Sequence, residues 1–281
     1  MDTCQICGRE LPAGGVGRPR RYCSRACRSR AYRLRVADTP EVPVDDAAPL
    51  TVDAIVSAAI ALGDEEGADA VSMRGAAARL DAGVMSLYRH VAGREVLIDL
   101  MVDKVFGQHP LPEPGPPGWR AKLALSARAE WAVYRSHPWV ARLVAHTTRP
   151  PLAPNLMSYT DWRMRALDGL GLPFPVMTQA AIMLSTQLQG AALGLYAESE
   201  ATRHTRQSRE EWTAARREAI TDALQARDLP MIARFGPAEY DASTPDKIVE
   251  FGLDRLLDGI EALIGTPADV MPDTAGMPGT H

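Results

Sequence analysis

Cysteine is absent from the last 254 residues of this 281-residue chain. All four cysteines lie within the first 27 positions, which excludes a secreted scaffold stapled by disulfides. The N-terminal run Met1-Asp2-Thr3-Cys4-Gln5-Ile6-Cys7 lacks the apolar stretch of a signal peptide. Sustained strand alternation is missing, as are a nucleophile elbow, a P-loop and a Rossmann glycine fingerprint, and the six histidines are scattered. No catalytic residue is assigned, and a ligand-binding helical enzyme is disfavoured. One uncharged stretch, 169–197, is long enough to imitate a membrane span. Pro173 and Pro175 near its start, with Gln179, Gln187 and Gln189 inside it, mark it instead as a central helix of a soluble domain. The expectation is a cytoplasmic, soluble protein with no membrane partner.

What charge there is lies unevenly. The whole chain is close to balanced, 31 Lys and Arg against 35 Asp and Glu, for a net of −4. Residues 1–36 nevertheless hold nine arginines against Asp2 and Glu10, a net of +7 that leaves −11 for the remainder. A basic end on an acidic body points to an N-terminus that meets a polyanion. Apolar residues make up 46% of the chain, enough for one or two cores. Residues 37–49, rich in proline and acids, read as an extended linker. The proline-rich run 108–118 cannot continue a helix, and 266–281 reads as a flexible tail. Between these breaks the periodicity is helical. From Thr51, a good N-cap, Ile55, Ala59 and Leu62 recur at helical spacing as far as Glu66-Gly67. Further helices are expected over 72–80 (capped by Ser72), 83–91, 94–106, 119–135, 138–145, 154–170, 176–198, 209–227 and 246–264.

Cys4-x2-Cys7 and Cys23-x3-Cys27, fifteen residues apart, have the spacing of a structural zinc site. Two close pairs on turns bring four soft thiolates to tetrahedral corners. Gly8 suits the tight turn after Cys7. Residues 1–36 contain few large apolar side chains, so metal binding would supply the folding energy. Four protein ligands close the site and argue against catalytic zinc. A tail of free thiols or a redox sensor are the alternatives. The second half, Arg21-Tyr22-Cys23-Ser24-Arg25-Ala26-Cys27-Arg28-Ser29-Arg30-Ala31-Tyr32-Arg33-Leu34-Arg35, resembles small bacterial treble-clef zinc modules, in which the last cysteine pair opens a basic helix. On such a helix Arg21, Arg25, Arg28 and Arg35 share roughly one face: a phosphate-binding stripe, a solvated face or a protein-docking surface. Gly17-Arg18-Pro19-Arg20 is similar to a minor-groove AT-hook core.

Residues 51–107 carry a more specific likeness. Ser72-Met73-Arg74-Gly75-Ala76-Ala77-Ala78-Arg79-Leu80, then Asp81-Ala82-Gly83, then Val84-Met85-Ser86-Leu87-Tyr88-Arg89-His90-Val91 resembles the DNA-binding segment of the tetracycline-repressor (TetR) family. Ile55-Val56-Ser57-Ala58-Ala59 fits that family's first helix, and Arg94 to Val102 its fourth. Two short helices with a tight turn would lay the second in the major groove of double-stranded DNA and brace it with the first. Ala77, Leu80, Leu87 and Val91 would face the small core. The resemblance assigns DNA contact to Gly83, Val84, Met85, Ser86, Tyr88, Arg89 and His90, and phosphate positioning to Ser72, Arg74 and Arg94. Asp81 stands where the turn usually has glycine. The segment's own net charge is −4, five basic residues against nine acidic, so charge alone would not mark it as DNA-binding.

From Trp119 onward the chain is similar to the same family, in Ser136-His137-Pro138-Trp139, Arg149-Pro150-Pro151-Leu152-Ala153-Pro154-Asn155 and the segment Ile248 to Ile264. The fold class expected is therefore all-α: a helix-turn-helix domain over 50–108 and a ligand-binding and dimerisation domain over 119–265, preceded by a zinc module over 1–36. The resemblance implies a homodimer, built on helices 176–198 and 246–264 with small Gly252 and Gly259 at the contact. Trp131, Tyr134, His137, Trp139, Trp162, Met183 and Gln187 are the candidates for the pocket of an unknown small-molecule effector, each with a plain core role as the alternative. Ala145 matches the magnesium-binding histidine of the tetracycline repressor, with His146 one place along, so no drug-chelated magnesium is expected. The function implied is a one-component transcription regulator, a repressor released from a palindromic operator by its effector. The alternative is an interaction protein whose basic N-terminus docks a protein or RNA.

Overall fold

The structure, a computed structural model, describes residues 3–11, 21–37, 50–145, 151–227 and 229–264, with backbone alone for 32–37 and 225. The linker expected over 37–49 (but for Ala37), the tail 266–281, the Arg18–Arg20 loop and His146 lie outside the described residues. The chain divides into two compact units, Met1–Pro49 and Leu50–His281. The first holds α1 (Arg25–Ala37) and an isolated antiparallel bridge between Thr3 and Glu10. Every other regular element among the described residues is helical. None is long and apolar enough to cross a membrane.

In the second unit α2 (Val52–Glu66) starts at Thr51, whose hydroxyl accepts from the Ala54 N–H. It ends at Gly67, whose φ of 90° is left-handed. Ser72 caps α3 (Met73–Arg79) by accepting from the Gly75 N–H at 3.0 Å. Such caps satisfy donors that a helix leaves orphaned at its first turn. α3 closes in a Schellman arrangement: Ala82 N–H donates to Ala77 O and Asp81 N–H to Ala78 O, with Asp81 left-handed at φ 49°. Gly75 is required by packing, since a Cβ there would sit 2.6 Å from Leu62 Cδ2. α4 follows as Val84–Leu87, and α5 runs over Arg94–Gly107. The helix expected over 83–91 is thus one α-turn. Past it the bonds tighten to i→i+3, with Arg89 N–H on Ser86 O and His90 N–H on Leu87 O, before Val91 N–H returns to Leu87 O.

The C-terminal helices are α6 (Trp119–Ser136), α7 (Trp139–Val144), α8 (Pro154–Leu167), α9 (Phe174–Thr205), α10 (Arg209–Ala215), α11 (Arg217–Gln225), α12 (Pro237–Ala242) and α13 (Pro245–Ile264). α9 outruns the expected 176–198 because its charged continuation pairs along the helix, as in Arg203 with Glu200. The single helix expected over 209–227 is two, broken at Arg216, where φ is −107°. α5 belongs to both regions. Leu97, Met101, Val102 and Val105 are fully buried, and Phe106 meets the rings of Tyr134 (6.3 Å) and Tyr159 (5.2 Å) edge-on. Helix-turn-helix and C-terminal helices therefore share one continuous core.

Inside that core sits an ion pair with no solvent exposure. Arg163 of α8 donates to Glu130 of α6 at 2.6 Å, to the Ser126 hydroxyl and carbonyl, and to Ser185 of α9. Tyr134 OH donates to the other Glu130 oxygen at 2.8 Å. Burial, with the Glu130 charge beside it, pushes the Tyr134 phenol well above its usual range.

Candidate DNA-binding surface, effector cavity and cysteine cluster

The reading surface is built by α3 and α4. Leu87 and Val91 point inward and are buried, with Ala77 beside them, while Leu80 is half-buried against the same core. That fixes the opposite side of the turn outward. Gly83, Met85, Tyr88, Arg89 and His90 are exposed, and Val84 and Ser86 half-buried. Met85, at 75% exposure, and Tyr88, at 46%, are large apolar groups that nothing in the subunit covers. Such exposure marks a surface meant for a partner. Of the expected phosphate-positioning residues, Arg74 is exposed on α3. Ser72 is engaged as the α3 cap. Arg94 donates through Nε to Val71 O at 3.0 Å, which ties the start of α5 to the turn before α3.

A large cavity, about 1080 Å³, lies among the end of α7, α8 and α9. Leu152, Leu156, Met157, Met164, Phe174 and Met177 give it an apolar wall, and Thr160, Ser185 and Gln189 add polar points. Leu152 and Phe174, 76% and 69% exposed, are bare because they face this space. None of the seven expected pocket residues lines it. Trp131 is buried and donates from Nε1 to Asp246 of α13, while Tyr134 serves Glu130. Trp162 donates to Pro112 O. His137 and Trp139 both meet Asp64 at the end of α2, at 2.7 and 2.6 Å, and Trp139 packs on Gly63. Trp131, His137 and Trp139 thus join helices, Trp162 ties α8 to the loop before α6, and Tyr134 bonds within α6. Met183 and Gln187 are brought together on a groove with Thr178, Gln179, Ile182 and Thr186, of which Ile182 and Thr186 also line the cavity. The sequence carried no signal for the lining of this cavity, since a helix face turned to a cavity has the same periodicity as one turned to core. Ala145 does line the cavity.

The groove on α9 continues onto α13, whose outer face carries exposed Ile248 and Phe251. Gln187 Oε1 is buried there with no donor among the described residues. Gly252 lies against Gln187 of its own subunit, whereas a Cβ at Gly259 would meet nothing within 4 Å.

In the first unit the four cysteine ligand atoms lie within 4.8 Å of one another. Gly8, at φ 70°, donates to Cys4 O, and Gln5 N–H donates to Arg21 O, which joins the two cysteine pairs. Ser24 caps α1 by accepting from Cys27 N–H. The sulfurs of Cys7 and Cys23 are 3.4 Å apart and those of Cys23 and Cys27 3.6 Å. A tetrahedron of Zn–S bonds of 2.3 Å has edges of about 3.8 Å, so the donor set fits that ion in number, softness and spacing. Backbone N–H groups, Ile6 first and then Cys23, hold the Cys4 thiol down to about 6. The neighbouring Cys7 and Cys27 sulfurs push Cys23 up to about 12.

An exposed two-helix head, braced by a helix that enters the core of a helical domain with a large open-sided cavity, defines a DNA-binding regulator that answers to a small molecule. The family model of the tetracyclin repressor-like C-terminal domain matches residues 111–264, over half of the chain. The HTH-type transcriptional repressor DrrR1 of Streptomyces coeruleorubidus is 37% identical over 223 residues, covering 76% of this chain and 78% of that protein. An HTH-type transcriptional regulator of Saccharopolyspora erythraea is 32% identical over 216 residues, with 77% and 86% covered. Among solved structures, the Streptomyces coelicolor TetR family protein ActR in complex with actinorhodin superimposes with a TM-score of 0.63 at 30% identity, covering 78% of this chain and 98% of that one. The chain belongs to the TetR family. It is a ligand-responsive DNA-binding transcriptional repressor and not an enzyme.

Proposed function

We propose that the protein binds a palindromic operator as a homodimer through α3 and α4, and leaves it when a bulky, mostly apolar small molecule enters the cavity among α7, α8 and α9. The observation that carries this is the outward row Met85, Tyr88, Arg89 and His90 on a turn whose inner side is locked into the core. Two such heads must stand about one DNA turn apart, ~34 Å, to read two half-sites. The bare apolar side chains Ile182 and Met183 of α9 and Ile248 and Phe251 of α13 suit a second copy as the occupant, continuous with the dimerisation the family shares. The effector's class follows from its walls. Leucine, methionine and phenylalanine surfaces favour a large apolar body, and Thr160, Gln189, Asp161, Arg165 and Asp168 offer polar contacts to hydroxyl or carbonyl groups on it. The neighbour solved in complex with actinorhodin supports a small-molecule effector for this chain. Selection of bound sequences from random duplexes with the intact protein tests the reading. A palindrome is expected; no enrichment would overturn it.

We further propose that Cys4, Cys7, Cys23 and Cys27 hold one structural zinc ion, which fixes the first unit's fold. The purified protein is expected to carry one zinc per chain by elemental analysis, and a C23S variant none. A protein purified from zinc-supplemented cells without metal would refute the site.

A further inference from the structure

The arginines of the two units differ in what they touch. In the second unit eight of the eighteen described arginines are engaged by carboxylates, among them Arg79 by Glu65, Arg120 by Asp258 and Glu261, Arg128 by Glu250, and Arg165 by Glu113 and Asp161. In the first unit Arg9, Arg21, Arg25, Arg28 and Arg30 are exposed, and none has a carboxylate partner among the described residues. Nor can the unit neutralise itself, with Asp2 and Glu10 against nine arginines. Four thiolates around one Zn²⁺ bring its +7 only to about +5. The reading head has the opposite problem, a net of −4 over 51–107 where it must approach a polyanion. Unpaired guanidinium groups on one part of the chain therefore meet a shortage of cations on the part that reads bases.

We infer that the cysteine-built unit is a second, sequence-independent DNA contact, in which Arg21, Arg25, Arg28 and Arg30 on and before α1 bind backbone phosphates of the operator or the duplex next to it. The inference rests on the repressor and zinc readings above. Zinc makes no contact with DNA in it; the metal holds α1 in place through Cys23 and Cys27, so that arginines are presented from a rigid helix rather than from a chain that must be ordered on binding. The dozen residues 38–49 allow a reach of roughly 40 Å at full extension, more than one DNA turn from where the second unit begins. A duplex is favoured over an RNA or an acidic protein because the same chain already delivers this unit to DNA. Tethering converts weak phosphate contacts into an intramolecular event at high local concentration.

The test uses the full-length, zinc-loaded protein, the duplex it selects, and a scrambled duplex of equal length. Each phosphate neutralised steepens the fall of log K with log salt by roughly 0.9. The variant R21Q/R25Q/R28Q/R30Q is expected to flatten the slope by several units per dimer, to weaken binding to both duplexes by tenfold or more at low salt, and to select the same sequence. Zinc content verifies that the unit is intact. Should the quadruple variant lose its metal, the double variants R21Q/R25Q and R28Q/R30Q are expected to show about half the change each. Slopes equal to wild type in a zinc-loaded variant overturn the inference and leave the unit to a protein or RNA partner. Failure of the repressor reading looks different: the wild type then prefers no sequence at all, whatever its slope.

Discussion

Asp81 shows how much one backbone angle decides at the reading turn. Its φ of 49° is left-handed, and the Schellman bonds that end α3 depend on it. Aspartate tolerates that region better than most residues, yet glycine adopts it without a Cβ penalty, so D81G is expected to stabilise the fold by about 1 kcal/mol. A rise of a few degrees in thermal midpoint would register it, and a fall would mean that the carboxylate has a structural role. Tyr88 and Arg89 serve function instead on the reading proposed above. Both are exposed, so Y88A/R89A should leave the circular dichroism spectrum and melting temperature unchanged while lowering operator affinity a hundredfold or more; wild-type affinity in that variant would move the reading surface elsewhere. The opposite outcome is expected at Arg163. R163M strands Glu130 as an unpaired buried charge, and breaking such a pair costs about 3–5 kcal/mol. Denaturant unfolding measures the loss, and R163M/E130L should recover a good part of it. Tyr88 was legible in the sequence because the helix-turn-helix is a local pattern. Arg163 was not, since its partners come from α6 and α9, more than twenty positions away in either direction.

At the scale of elements, α13 is held to α6 by paired charges and presents its other face bare. Arg120 with Asp258 and Glu261, and Arg128 with Glu250, span the two helices. The Arg128 guanidinium holds the Glu250 carboxyl below its usual range, and Arg120 does the same for Asp258. A carboxylate depressed in the folded state stabilises it above the unfolded pKa of about 4 and loses that effect as pH falls through the folded value. Thermal midpoints should therefore hold from pH 7 to 5 and drop progressively below about pH 4, less steeply in high salt; a midpoint that rises on acidification would contradict the assignment. The bare face makes its own prediction. Phe251 is 63% exposed, and F251D would put a charge into the expected contact between copies, giving monomers by light scattering. Gly252 is a poorer probe than the sequence pattern implies, because Gln187 of the same subunit already fills the space a side chain there would need. Helical periodicity located α9 and α13 well. It could not distinguish which small residue touches a neighbour inside the subunit.

For the whole molecule, repression and release must be joined through the core that α5 shares with α6 and α8. A side chain that fills the cavity should separate the two activities. T160W on α8 is expected to bind the operator normally and to respond to effector at least tenfold less; an unchanged response would place the effector outside this cavity. What is local was legible in the chain alone: the all-helical class, the caps at Thr51 and Ser72, the helix-turn-helix with its outward side chains, the spacing of the four cysteines, and the separation of a basic end from an acidic body. Each depends on neighbours within a few residues or on simple sums of charge. The tertiary structure alone decided which aromatics are core and which surfaces enclose space. Trp131, Tyr134, His137, Trp139 and Trp162 look like pocket residues by composition, but their partners lie elsewhere: Trp131 bonds Asp246, His137 and Trp139 bond Asp64, Trp162 bonds Pro112 O, and Tyr134 bonds Glu130 one turn away while its ring meets Phe106 of α5. The cavity fell to leucines and methionines of α8 and its approach, because the angles at which α7, α8 and α9 meet leave the space there, and those angles are set by packing between segments far apart in the chain.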